Sequence, residues 1–69
     1  MITYEQFVKE VEKDLAHNTP VLFERYKACG GSNDEDAKYF LSGEYNRYKI
    51  TKDLKHAVNC ASSCIYMEY

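Results

Sequence analysis

Several features that would assign a sequence to a familiar class are missing from this chain. There is no tryptophan, and one proline with three glycines leaves few points at which a helix must end. Three cysteines are an odd number, whereas secreted domains held by disulfides usually carry four, six or eight. No apolar run approaches the roughly 18 residues that cross a membrane, and the acidic, amphipathic N-terminus does not resemble a secretory signal. We therefore expect a soluble, cytoplasmic protein with reduced thiols and no membrane association.

An excess of positive charge is also missing, since nine bases stand against 11 acids. The net charge of −2 at pH 7 disfavours direct binding to nucleic acid, which usually requires a strongly basic face. The charge is uneven, because eight of the 11 acids lie within residues 1–36 and five of the nine bases lie within residues 37–69. A small nucleic-acid-associated regulator therefore stays open as an alternative function. Its contacts would come from a basic run interleaved with tyrosines, namely Arg47, Lys49, Lys52 and Lys55.

The signals that are present indicate helices. Thr3 and Gln6 have the spacing of a capping box, in which each residue satisfies a backbone N–H of the other. Because the residue before a proline is pushed out of helical geometry, the first helix should end at Asn18, before Thr19-Pro20. One stripe of this helix is apolar and consists of Tyr4, Val8, Val11 and Leu15.

A second, shorter helix is predicted from Pro20 to about Cys29. Thr19 would be its N-cap, since proline is favoured directly after the cap. Gly30-Gly31 supplies the left-handed exit that helices prefer. The predicted core face of this helix consists of Leu22, Tyr26 and Cys29, with Phe23 beside them.

The third helix should begin after a second capping box, formed by Ser32 and Glu35. We expect it to continue, straight or kinked, through Gly43 to near Lys49, although glycine costs about 1 kcal/mol relative to alanine inside a helix. A short strand over residues 45–50 is the alternative. The apolar stripe of the helix is Ala37, Phe40, Leu41, Tyr45 and Tyr48.

A fourth helix should follow Thr51 as its cap, with Asp53 in the first turn. Its apolar line is Leu54, Ala57, Val58, Ala61 and Ile65. Short connections between four amphipathic helices are typical of a helical bundle. The predicted fold is therefore all-α, a small compact bundle of three to four helices in which residues 1–69 form a single, complete domain.

His56, Cys60 and Cys64 follow one another at intervals of four residues on the last helix, and these residue types bind zinc. The outer two would stand about 12 Å apart along the axis, too far for one ion. Core packing is the preferred explanation, and a zinc-stabilised adaptor is a weaker one. A catalytic cysteine would need an orienting group and an oxyanion hole, and the sequence indicates neither. We predict no enzyme activity, no cofactor and no metal.

Seven tyrosines are more than so small a core can hide. Tyrosine is enriched at protein interfaces, and acids in a first helical turn can contact a basic surface as well as complement the helix dipole. Tyrosines on the core stripes would pack their rings and extend their hydroxyls to solvent. Met67 points away from the apolar line, so the last helix has a second face for another chain. The candidate partner-binding residues are Asp34, Glu35, Asp36, Tyr39, Tyr45, Tyr48 and Tyr66.

In small size, negative charge and tyrosine content the chain is similar in general character to phage-encoded host-takeover and anti-CRISPR inhibitors. The likeness is one of type and rests on no motif. It implies a non-catalytic, stoichiometric inhibitor or modulator that binds the surface of a larger protein or complex, such as a bacterial defence system. Whether the chain also forms a homodimer is left open by the sequence.

Overall fold

Four α-helices and one short 3₁₀ helix make up the computed structural model, which describes residues 1–69. The absence of strands confirms the all-α prediction and excludes a strand over residues 45–50. No helix combines the length and the apolar character that crossing a membrane requires. The α-helices are α1 (Tyr4–Asn18), α2 (Pro20–Ala28), α3 (Glu35–Thr51) and α4 (Leu54–Glu68), and the 3₁₀ helix covers Gly31–Asn33.

Two contacts define the direction of the helices. The hydroxyl of Tyr69 donates a hydrogen bond to Asp34, so the end of α4 lies beside the start of α3. The hydroxyl of Tyr48 accepts a hydrogen bond of 3.2 Å from the backbone N–H of Ile2, so the end of α3 lies beside the start of α1. Both α1 and α4 therefore run antiparallel to α3 and parallel to each other. The short α2 packs against α1.

The core is built mostly from the predicted apolar stripes, but it also contains Phe7, which lies outside the stripe predicted for α1. Phe7 is fully buried and its ring lies 5.6 Å from the ring of Tyr45 and 6.2 Å from that of Tyr48. Tyr26 is also fully buried, although it carries a hydroxyl. The core residues are Phe7, Val8, Val11, Leu15, Leu22, Tyr26, Ala37, Leu41, Tyr48, Ala57, Ala61 and Ile65.

Three of the four tyrosines on the predicted core stripes bond to protein groups through their hydroxyls, and the hydroxyl of the fourth, Tyr4, is buried without a partner, so the expectation that these hydroxyls reach solvent is wrong. Tyr45 donates to the carbonyl of Ile2 at 2.9 Å, and Tyr26 donates to the carboxylate of Glu12 at 2.9 Å. Burial, and then the hydrogen bond to Glu12, raises the pKa of Tyr26 far above its usual range. A buried hydroxyl without a partner is unfavourable, so the hydrogen bonds of Tyr26 and Tyr45 stabilise the packing of α2 and α3 against the N-terminal part of the chain.

The capping box at Thr3 and the left-handed exit at Gly30-Gly31 are both confirmed, with φ values of 114° and 60° at the two glycines. The prediction that Thr19 caps α2 is right about its position and wrong about its hydrogen bond. Thr19 does stand at the N-cap of α2, but its hydroxyl donates to the carbonyl of Leu15 at 3.0 Å. It therefore closes the end of α1 instead of capping α2.

The predicted caps of the third and fourth helices are each displaced by two residues. The N-cap of α3 is Asp34 and not Ser32, because residues 31–33 form the 3₁₀ turn and the Asp34 carboxylate accepts from the N–H of Ala37. The N-cap of α4 is Asp53, which accepts from the N–H of His56. Thr51 is the last residue of α3, since the chain reverses only at Lys52, where φ is 62°.

Cys29 is exposed, so its predicted place on the core face of α2 is wrong. The helix ends at Ala28, and Cys29 already belongs to the turn that leaves the bundle through Gly30. The helical periodicity predicts one residue too many for α2, and for that reason it places the Cys29 thiol on the core side of the helix.

Gly43 lies within an uninterrupted α3, so the helix continues through it as predicted. Apart from the local backbone of α3 itself and the two adjoining residues, no atom lies within 4 Å of the position where a Cβ would stand. We therefore expect Gly43→Ala to raise the free energy of unfolding by about 1 kcal/mol, because alanine loses less backbone entropy in a helix. Urea denaturation followed by circular dichroism would measure the change. A decrease in stability would contradict the open surroundings of this position.

Candidate functional site

A furrow runs between the parallel helices α1 and α4 and continues onto α2. It has three main sections with volumes of about 540, 330 and 470 Å³. Neighbouring sections share lining residues, namely Asp14 between the first two and Thr19 with Tyr66 between the last two. No residue of α3 lines any section, so the furrow lies on a part of the surface that α3 leaves uncovered.

The first section lies between the second half of α1 and the start of α4. Leu54 and Val58 provide its apolar surface. Charged groups of both signs surround them, so this section selects no particular charge on a ligand. Its polar lining is Glu10, Lys13, Asp14, His17, Lys55 and Asn59.

The other two sections meet at Tyr66, and each is lined by more apolar residues than the first. The side chains of Tyr66 and Met67 are 60% and 86% exposed, and Val21 on the α2 side is 71% exposed. Leu15 and Leu22 are buried and belong to the lining of this part. Exposed apolar residues scattered singly are ordinary, but three beside one concave surface form a patch that another apolar group can cover.

A polar group lies within this part of the furrow. The hydroxyl of Ser62 is buried, and no hydrogen-bond partner lies within reach of it. A ligand that supplied a donor or acceptor there would satisfy a group that the folded chain leaves unpaired.

The predicted partner-binding residues lie in three different places. Asp34, Tyr45 and Tyr48 stabilise the fold, the first as the cap of α3 and the other two through Ile2. Tyr48 is only 6% exposed, so its ring is not available to a partner in this fold.

Glu35, Asp36 and Tyr39 are exposed on α3, away from the furrow, and Tyr39 is 77% exposed. Of the seven predicted residues only Tyr66 lies in the furrow.

The basic residues of the nucleic-acid alternative lie around the junction of α3 and α4 and have different surroundings. Arg47 lies 3.9 Å from the Glu44 carboxylate, and the ammonium of Lys49 stands 5.4 Å from the centre of the Tyr45 ring. Lys55 belongs to the furrow. The fourth residue, Lys52, occupies the left-handed turn between α3 and α4.

The cysteine and histidine residues do not assemble a metal site. His56 and Cys60 are 3.5 Å apart, between the ring Nε2 and Sγ, and Cys29 belongs to a different part of the chain. No group of three or more His, Cys, Asp or Glu side chains is placed to hold an ion. Burial, with a smaller effect of the Glu44 carboxylate, raises the pKa of Cys64. Because a thiolate is the reactive form of cysteine, this shift disfavours Cys64 as a nucleophile at neutral pH.

Two carboxylates, Glu68 of α4 and Asp36 of α3, lie close together near the end of the bundle. A proton shared with Asp36, and repulsion between the two charges, raises the pKa of Glu68. The folded chain therefore binds this proton more tightly than the unfolded chain does. The stability that it contributes is present at acid pH and is lost as the pH rises through the raised pKa.

We expect Glu68→Gln to stabilise the fold at pH 7 and to have little effect near pH 4, because the substitution removes the repulsion only where both groups are ionised. Thermal denaturation at the two pH values would measure this difference. Glu35→Gln, in the same turn of α3 as Asp36, is the control for loss of a negative charge. Equal effects of Glu68→Gln at both pH values would exclude the proposed repulsion.

Sequence reasoning missed Val21 and did not connect Met67 with a groove. Both residues fall outside the apolar stripes of their helices, and that irregularity is the only signal that could have identified them. No protein-family model, curated protein or solved structure matches this chain.

Proposed function

We propose that this protein is a non-catalytic binding protein that holds an apolar segment of a larger protein in the furrow between α1, α4 and α2. The observation that carries the proposal is the exposed patch of Tyr66, Met67 and Val21 beside a concave surface. Tyrosine and methionine are enriched at protein interfaces because they offer a large, adaptable contact area.

An amphipathic helix is the occupant that suits the dimensions of the furrow. Each of α1 and α4 has 15 residues, which corresponds to about 22 Å at about 1.5 Å per residue. Side chains at intervals of three and four residues on a bound helix would enter the groove between two parallel helices. Fully covering one large apolar side chain contributes about 1.5–3 kcal/mol, so two or three such contacts would dominate the affinity.

In its narrowest form, the proposal is that the partner belongs to a bacterial defence system and that binding blocks it stoichiometrically. The size and composition of the chain support this form. So does the furrow, because a partner segment held in it would be unavailable for the partner's own contacts. Expression in cells that carry an active CRISPR system should then restore the survival of a targeted plasmid. Loss of that protection with Met67→Glu would connect inhibition to the furrow.

The binding proposal itself predicts a specific loss of capture. Tagged protein incubated with nuclease-treated bacterial lysate should retain one dominant partner at near equal stoichiometry, measured by mass spectrometry. Tyr66→Ala and Met67→Glu should each reduce the retained amount about tenfold or more, because a charge or a void would replace a central apolar contact.

The matched control is Ile50→Glu, which places the same charge on an exposed apolar residue (82% exposed) that does not line the furrow. Capture should survive this change. Capture that Met67→Glu leaves intact would exclude the furrow as the binding site. Capture that is observed in untreated lysate and lost after nuclease treatment would instead favour nucleic acid and the basic residues of the second half of the chain.

A further inference from the structure

The outward side of α3 carries four exposed residues that we call the α3 stripe, namely Tyr39, Gly43, Asn46 and Ile50. They follow one another at intervals of four, three and four residues, which keeps them on one side of the helix. The two end residues are large and apolar, with 77% and 82% of their surface exposed. This spacing is the one that pairs helices in coiled coils.

Gly43 in the middle of the stripe has no explanation within the single chain. No neighbouring atom would contact a Cβ at this position, and the backbone conformation is that of an ordinary helix. Glycine is nevertheless unfavourable inside a helix. Its absent side chain does, however, allow the backbone of a second helix to approach closely, because interaxial distance depends on the side chains at the contact.

The charges beside the stripe are arranged with opposite signs at the two ends of α3. Helical spacing places Glu35 and Lys49 along one edge of the stripe, and Asp36 and Arg47 along the other. Each edge therefore has an acid near the start of the helix and a base near its end. A second α3 in the antiparallel direction would bring the acidic start of each helix alongside the basic end of the other, despite the base Lys38 near the start, whereas a parallel one would bring like ends together.

We propose that two copies of this chain associate through the α3 stripe as an antiparallel, two-fold symmetric pair. Tyr39 of one copy packs near the partner's Ile50, and the reverse contact follows from the symmetry. Gly43 lies opposite the partner's Asn46, where the helices come closest. A contact made by single helices buries little area, so the association is weak and depends on concentration.

Sedimentation velocity between about 5 µM and about 500 µM would test this pairing, a range chosen for interfaces of small area. The wild-type chain should shift from the mass of one copy towards that of two. Ile50→Glu should weaken the association about tenfold or more, because it places a carboxylate in the contact. Gly43→Ala should weaken association as well, even though it raises the melting temperature. Met67→Glu should leave association unchanged, since the furrow contains no α3 residue.

Charge reversal tests the antiparallel direction. Glu35→Lys and Lys49→Glu should each weaken association. The double variant should associate within about threefold of wild type, because each copy then carries a base near the start of α3 and an acid near its end, so that opposite charges meet again. Circular dichroism would establish that every variant is folded.

The proposal would be overturned if the wild-type chain sedimented with the mass of one copy at every concentration. It would also be overturned if Ile50→Glu left the association unchanged. A double variant that associated more weakly than both single variants would overturn the antiparallel arrangement. These results do not depend on whether the furrow binds a partner. The capture experiment with Met67→Glu tests that proposal separately.

Discussion

Phe7→Ala is expected to lower the free energy of unfolding by about 4 kcal/mol, the largest effect of any substitution considered in this protein. The side chain is fully buried and contacts the rings of Tyr45 and Tyr48, both of which bond to the main chain of Ile2. Truncation therefore removes the apolar group that joins the start of α1 to the end of α3. A domain of this size has little stability in reserve, so much of the population should unfold at room temperature.

Urea denaturation followed by far-ultraviolet circular dichroism would measure the Phe7→Ala effect. Tyr66→Ala is the matched control, because it truncates an aromatic residue that is 60% exposed, and its effect should stay within about 0.5 kcal/mol. A loss below about 1 kcal/mol for Phe7→Ala would contradict the packing of this cluster. The control also shows that loss of partner capture by Tyr66→Ala is not caused by unfolding.

Tyr69→Ala is expected to produce the second largest effect, a loss of about 2 kcal/mol. The ring of Tyr69 packs edge-on against Tyr26, and its hydroxyl donates to the carboxylate of Asp34, the cap of α3. Its main-chain oxygen accepts from Arg25 at 2.9 Å. Tyr69 therefore connects the end of α4 to α2 and α3, and the substitution removes the ring and hydroxyl contacts but not the main-chain one. Tyr69→Phe keeps the ring contact and should lose only about 1 kcal/mol.

The effect of Tyr69→Phe should depend on pH. The hydrogen bond from Tyr69, followed by that from the N–H of Ala37, lowers the pKa of Asp34. A lowered pKa of an acid means that the contribution to stability is present at neutral pH and is lost as the pH falls through that value. The difference in the free energy of unfolding between wild type and Tyr69→Phe should therefore shrink as the pH falls below the usual pKa range of an aspartate, and with Asp34→Asn in both chains it should no longer change with pH, because an amide does not ionise. A constant difference from pH 7 to pH 2 would exclude this pairing.

The furrow and the α3 stripe have no residue in common. A pair of chains associated through α3 would leave both furrows open to partners. Each copy would bind a partner segment in its own furrow, so the proposed association is compatible with the proposed binding function and does not compete with it.

The helices could be located from the sequence because local signals and periodicity agree. The capping box at Thr3, the break at Thr19-Pro20 and the left-handed exit at Gly30-Gly31 each depend on a few neighbouring residues, and all three are confirmed. Two other caps were misplaced, because several residues near the start of each helix can accept the same N–H groups. The choice of Asp34 over Ser32 depends on the 3₁₀ turn and on Tyr69, which lies 35 positions away in the chain.

The sequence by itself determined the helical class, the break points and most of the core, because a repeat of 3.6 residues and the chemistry of capping act over short distances. Only the tertiary structure decided which exposed residues share a surface. Tyr66 and Val21 are 45 positions apart, yet they line the same section of the furrow because α4 runs parallel to α1 and reaches α2. Periodicity shows which side of a helix faces the core, but the neighbour of an outward side depends on how the helices pack together.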